Sequence, residues 1–408
     1  MSAPGRTPGR ATLMLALSLL VQTAASLGNT SIGPLAPELR HDLTLSSAQL
    51  GLIVTAFYVG AIGILLFAAT AADRWGPRRL FLAGPALIAA GLLAASSAPS
   101  FGLLLAFMAL AGVGNGIALP PTTRAVMEWF GPASRGSAMS IKQTGLPLAG
   151  LLVALAVPLG LTRVGWRGSL VVIAAITLVS GALAFALYRD APGGHAPEPP
   201  RTGGLAALAR DPRLLAVTGF ATIMSGIQLA LVGFLVLFFH RSLGYPLLVA
   251  GGLLALAQVS GVVARIVSGV LSDRLFGARR QPVLVLMALA AIVGSAALTL
   301  LSPGTPVAVP ALVMVLLGFS AVGWSGVSMA LVAELAGREQ SSAAAGVALT
   351  GSYLGVIVTP PLFGLLVDLS GGYRVSFGGL AILGILAFAC ARLASDPSHR
   401  PSLNAKEA

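Results

Sequence analysis

The chain has 408 residues, 56% of them hydrophobic and only 9% charged, with a mean hydropathy of +0.91. So little charge excludes an ordinary soluble domain and places the protein in the membrane class. The net charge of +12 suggests nucleic acid as a partner, but the positions of the cations along the chain exclude it.

Twelve apolar stretches are each long enough to cross the ~30 Å hydrocarbon core as a helix. The first covers 13–33 and carries Gln22, Asn29 and Thr30. Its opening, "GRATLMLALSLLVQTAAS", resembles a signal peptide; the apolar run continues toward Leu35 and the later spans need it for parity, so it is read as retained. The second, 47–70, leads into "ADRWGPRR" (72–79). The third, fourth and fifth cover 80–98, 102–126 and 137–160, with "RAVMEWF" (124–130) and "RGSAMSIKQTGLPLAG" (135–150) around the fourth-to-fifth turn. The sixth, 168–188, is followed by "RDAPGGHAPEPPRTGGLAALARDPR" (189–213), whose Pro, Gly and charge read as a linker. Six more spans follow at 214–238, 247–271, 282–301, 308–332, 342–366 and 375–393. "SDRLFGARR" (272–280) follows the eighth, "GWSG" with Trp324 lies in the tenth, Ser352 and Tyr353 lie in the eleventh, and the lone cysteine, Cys390, lies in the twelfth. A single thiol forms no internal disulfide.

With the N-terminus inside, seventeen of the 25 cations fall on the cytoplasmic side, whereas the outer loops hold only Arg40, Arg163, Arg167, Arg241 and Arg374. This positive-inside bias puts both termini in the cytoplasm of a multi-pass cytoplasmic (inner) membrane protein.

The two halves repeat. Asp73 and Arg74 recur 200 positions later as Asp273 and Arg274. Further along, the offset becomes 206, pairing Glu128 with Glu334 and Gly145 with Gly351. Duplication of six helices is a transporter signature. The fold expected is therefore all-α, with twelve transmembrane helices in two pseudo-symmetric six-helix bundles. The bundles take residues 1–188 and 214–408, joined by the cytoplasmic linker 189–213.

The repeat also serves as a control on the charges inside spans. Only Arg124, Lys142 and Arg265 lie away from span ends, and their counterparts are Ala330, Ala348 and Leu65. The architecture therefore does without a cation at each of these positions. A charge there costs roughly 2.5–3.5 kcal/mol on insertion scales, which points to a task or a partner. Arg124 has Glu128 four residues on, a spacing that suits a helical ion pair. Lys142 and Arg265 have no acid at three or four residues. The alternative for all three is snorkelling to the interface.

"DRWGPRR" and "GVLSDRLFGARR" resemble the loop signature of the major facilitator superfamily, with Ala69 and Pro77 departing from it in the first copy and Gly269 in place in the second. The resemblance covers all twelve spans. It implies that spans 1, 4, 7 and 10 line a central cavity and that span 5 faces span 8 across the halves, so that Lys142 and Arg265 converge. It further implies that the loop aspartates, with Arg74 and Arg274 beside them, contact the start of a helix in the other half and act in gating, together with Glu128 and Glu334. Within the superfamily, "RIVSG" (265–269) resembles the span-8 arginine of monocarboxylate transporters and oxalate/formate exchangers, which binds substrate carboxylate.

The four histidines lie in or near loops without metal-ligand spacing, and no nucleophile–base set lies within the spans, which excludes an enzyme; no cofactor or metal is expected. The expected function is secondary transport of a small organic anion, a carboxylate above all, by a chain that works as a monomer in lipid. Substrate ligands are Lys142, Arg265, Arg124, Gln143, Asn29, Trp324 and Tyr353. An exporter of hydrophobic or cationic compounds fits less well, because span 5 reads "GLPLAG" without a Gly-Pro step and no acid is buried mid-span. A transport-silent receptor or scaffold fits less well again, since the tails are short.

Overall fold

The computed structural model describes residues 8–189, 210–276 and 279–394. The described elements are helices, and twelve of them are long and apolar enough to cross a membrane. They are span 1 (Gly9–Leu43), span 2 (Ser47–Ile64), span 3 (Gly76–Ser96), span 4 (Phe101–Trp129), span 5 (Ser137–Leu159) and span 6 (Gly165–Leu187) in the first bundle. Span 7 (Pro212–Ser242), span 8 (Leu247–Gly269), span 9 (Gln281–Leu300), span 10 (Ala308–Ala336), span 11 (Ala344–Ser370) and span 12 (Tyr373–Leu393) form the second. With twelve crossings, both chain ends emerge on one face, the terminal face; the turn from span 1 to span 2 lies on the other, the far face.

Local chemistry sets the helix ends and breaks. Ser46 caps span 2 through a reciprocal box with Gln49, and Asp211 caps span 7 through the amides of Arg213 and Leu214. Gly76 of "DRWGPRR" adopts φ 76°, ψ 158°, a conformation glycine takes readily, and so separates span 2 from span 3. Span 1 is longer than the sequence suggests. It is interrupted at Ser31 and resumes as Ile32–Leu43, so the apolar run ends past Leu35. Span 5 is likewise interrupted at Thr144, between Pro132–Gln143 and Gly145–Leu159. Spans 7 and 10 each contain a one-turn π segment, Phe238–Ser242 and Gly318–Val322. Such segments disturb the regular pairing of carbonyls and amides, and in span 10 this places the Val322 carbonyl within reach of a side chain.

Two antiparallel seams join the bundles, and both can be followed from the far face to about mid-span. On one, Gly364 of span 11 meets the Ser47 backbone of span 2, Gly51 meets Pro360, Thr55 Oγ1 donates to the Ile357 carbonyl at 2.7 Å, and the rings of Tyr58 and Tyr353 meet edge-on. On the other, Gly251 of span 8 meets the Ala154 carbonyl of span 5, Gln258 lies against Gly150, and Arg265 reaches Gln143. A methyl group at Gly364 or Gly251 would overlap a backbone carbonyl, so these glycines permit the close approach. In both seams, the contacts advance along one helix as they run back along its partner. The internal repeat explains the likeness, because span 2 corresponds to span 8 and span 11 to span 5. A third contact closes the far face, where Gly33 at the break of span 1 sits against the Val232 carbonyl of span 7.

Candidate functional site

The deep end of the span 5–span 8 seam gathers the two unusual cations. Lys142 lies in the last turn of the first segment of span 5, two residues before the break at Thr144, and is 4% exposed. Its Nζ donates to Thr123 Oγ1 of span 4 at 2.7 Å. Arg265 of span 8 is 7% exposed. Its Nε and Nη2 both donate to the Val322 carbonyl of span 10 at 3.1 Å, and its Nη1 donates to the carbonyl of Gln143, the residue after Lys142. One guanidinium therefore ties span 8 to the π segment of span 10 and to the broken point of span 5 in the other bundle. The planar fork of arginine makes this three-way tie possible. Neither cation pairs with a carboxylate among the described residues.

Gln22 of span 1 forms the floor beside Lys142. It accepts from Thr122 Oγ1 at 3.3 Å, and Gly145 lies against its side chain. Asn115 of span 4 donates to the Ala25 carbonyl at 3.0 Å. Higher on span 1, Asn29 donates from Nδ2 to the Tyr58 hydroxyl at 2.8 Å. The site thus draws on spans 1, 4, 5, 8 and 10, with Gln143 contributing its backbone carbonyl.

The remaining residues singled out in the sequence separate into groups. Arg124 binds Glu128 Oε1 at 2.6 Å, the helical ion pair that their spacing suits. Glu334 is held by a loop arginine, Arg280, at 3.0 Å. Arg280 also donates to Ser272, whose hydroxyl bonds the Arg279 carbonyl. Trp324 is buried, with its Nε1 donating to Gln228 Oε1 at 3.1 Å and its ring edge-on to Phe220. Its polar atom is occupied within the second bundle. Tyr353 is buried against Tyr58 with no partner for its hydroxyl. Arg274 is the exposed last residue of the span 8 helix. The side chains of Asp73, Arg74 and Asp273 lie outside the described residues.

Three residues with clear structural roles escape a reading of the sequence. Thr123 is the partner of Lys142, yet a threonine beside Thr122 carries no signal of its own. Tyr58 was legible in principle, since with Tyr353 it is one of two tyrosines near the middle of a span. Asp368 caps the other bundle at the far face, accepting from the amides of Ser47 at 2.9 Å and Ala48 at 2.8 Å, and only the packing reveals that role.

The family model described as the Major Facilitator Superfamily matches residues 18–329 and 325–408. The chain is 27% identical over 402 residues to a probable sulfoacetate transporter, SauU, of Cupriavidus necator, with 92% of each chain covered. It is 29% identical over 318 residues to monocarboxylate transporter 13 of Bos taurus, covering 74% of this chain and 70% of that one. Among solved structures, a bacterial homologue of the human lysosomal transporter Spinster superposes with a TM-score of 0.80 at 16% identity, covering 95% of this chain and 98% of that one. The chain belongs to the Major Facilitator Superfamily, with relatives in its organic-anion branches; it is a transporter and not an enzyme.

Proposed function

Starting from that membership, we propose that the protein moves a small organic anion across the cytoplasmic membrane by alternating access, with Lys142 and Arg265 as the anion's ligands. The observation that carries this reading is the pair itself. Arg265 of one bundle reaches the carbonyl of the residue next to Lys142 of the other; both cations are buried, and neither has a described carboxylate beside it. Burying unneutralised charge is expensive, and an anion arriving between them offsets that cost. With three of its five N–H donors on carbonyls, Arg265 keeps two for a carboxylate or sulfonate, and Lys142 adds a point charge. The relatives named for sulfoacetate and monocarboxylates support the same class of substrate. Arg124 supports the site from the terminal side, beside Thr123.

Both termini and the 189–213 linker face the cytoplasm on this reading, because the basic residues concentrate there. The far face is then the outer face. Two seams and the Gly33–Val232 contact close that face, and on this reading the protein works as a monomer.

The test is binding and proteoliposome uptake with a panel of short carboxylates and sulfonates, sulfoacetate included. Lys142→Gln and Arg265→Gln are each expected to weaken binding about 10- to 100-fold, the weight of one charge-assisted contact. Wild-type binding and uptake in both variants would remove the anion site from this place.

A further inference from the structure

At the deep end of the other seam, the structure leaves polar atoms unused. Asn29, Tyr58 and Tyr353 are 3%, 7% and 6% exposed. Tyr58 and Tyr353 come from opposite bundles, and their rings lie 5.3 Å apart at 72°. The Tyr58 hydroxyl accepts from Asn29 Nδ2, so its own proton is free to be donated. The Tyr353 hydroxyl and Asn29 Oδ1 have no partner among the described residues. If the Asn29 amide is turned over, Oδ1 takes the Tyr58 proton and Nδ2 is left over instead. In both orientations at least two hydrogen-bond donors point at nothing.

Buried polar groups are normally paired, and an unpaired one is destabilising. Several serines and threonines in these spans settle on their own helix, as Ser18, Thr23 and Ser352 do on carbonyls four residues back. A phenol is too long for that and needs a partner from elsewhere. The internal repeat does not require the tyrosines either, since Tyr58 corresponds to Gln258 and Tyr353 to Pro147. Span 1 connects this place to the cations. Gln22, which accepts from Thr122, the residue before the Lys142 partner Thr123, lies seven residues before Asn29, hence on the same helix face and about 10 Å away along the axis.

We infer that Asn29, Tyr58 and Tyr353 form a second subsite, which donates hydrogen bonds to an oxygen at the far end of the substrate. This rests on the anion reading of Lys142 and Arg265 and narrows it. The substrate class is an elongated organic acid with its acid group on the cations. About 10 Å of reach separates that group from a hydroxyl, or from a second acid group, held by the phenols. A plain monocarboxylate satisfies only one of the two sites.

The test is isothermal titration of the purified protein with three eight-carbon probes, whose extended chains span about 10 Å: octanoate, 8-hydroxyoctanoate and octanedioate. The wild type is expected to bind at least one of the two oxygen-tipped acids about tenfold tighter than octanoate. The hydroxy-acid arm and the diacid arm separate a neutral oxygen from a charged one. Tyr353→Phe is expected to remove the preference and leave octanoate binding within about twofold. Its melting temperature without ligand is expected to stay level or rise, because the hydroxyl it removes has no partner; a purely structural hydroxyl would lower it. Tyr58→Phe is expected to lose the preference as well. A wild type without the preference, or variants that retain it while octanoate still binds, would overturn the subsite and leave the anion site standing. If none of the three acids binds the wild type, the anion reading falls and the subsite falls with it.

Discussion

Lys142 and Arg265 carry the same formal charge but are held differently, and their variants are expected to behave differently without substrate. Lys142 has one hydrogen bond, to Thr123. Lys142→Met loses that bond, worth about 1 kcal/mol, and relieves a buried charge costing roughly 2.5–3.5 kcal/mol. Its ligand-free form is expected to be more stable, by on the order of 1 kcal/mol. Arg265 instead fixes two carbonyls on two other spans, Val322 and Gln143. Arg265→Met leaves both without their donor and is expected to lower the melting temperature. Arg265→Lys keeps the charge but cannot serve both carbonyls in one plane, so it is expected to restore stability only in part and binding hardly at all. Thermal unfolding in detergent, with and without an anion, separates these outcomes. Equal effects of Lys142→Met and Arg265→Met would show that the cations are interchangeable fillers.

The helices themselves were largely legible in the sequence, because apolar length is a strong signal where no water competes for the backbone. The loop signature placed Gly76 and the turn from span 2 to span 3, and the asymmetry of the repeat isolated Arg124, Lys142 and Arg265. The breaks at Ser31 and Thr144 and the π turn ending at Val322 were not legible, since they arise from how helices fit together rather than from a residue type. Asp368 was hidden for the same reason. Its carboxylate takes the first free amides of span 2, adding a negative charge at a helix N-terminus in the other bundle. Asp368→Asn retains the shape but gives up the charge. Charge-assisted bonds are roughly twice as strong as neutral ones, so about 1.5 kcal/mol of closure is expected to disappear, near tenfold in population. Spin labels at His41→Cys and Arg374→Cys, in a Cys390→Ala background, report the far-face distance directly. An unchanged distance distribution would reduce Asp368 to a local cap.

At the scale of the whole molecule, the two bundles repeat one interface twice, so a latch on one face has a natural opposite on the other. Asp368 holds the start of span 2 at the far face. The loop signature implies that Asp73 holds the start of a helix in the second bundle at the terminal face. On the reading proposed above, these are opposing latches on one two-state equilibrium, and neither touches the anion. Their free energies are then expected to oppose each other. Asp368→Asn destabilises the form closed at the far face, whereas Asp73→Asn destabilises the form closed at the terminal face and favours the first. The two positions lie at opposite ends of the spans, far apart along the membrane normal, so the effects of the two changes are expected to add within about 0.5 kcal/mol. The double variant is therefore expected to return the far-face label distances to within about twofold of the wild-type populations, although each single variant shifts them. Each single change biases one state and slows the return from it, so exchange is expected to slow more than binding weakens in Asp73→Asn. A double variant with the distances of Asp368→Asn alone would show that Asp73 carries no latch. A loss of binding in Asp73→Asn at unchanged exchange would place that residue in the substrate's path instead.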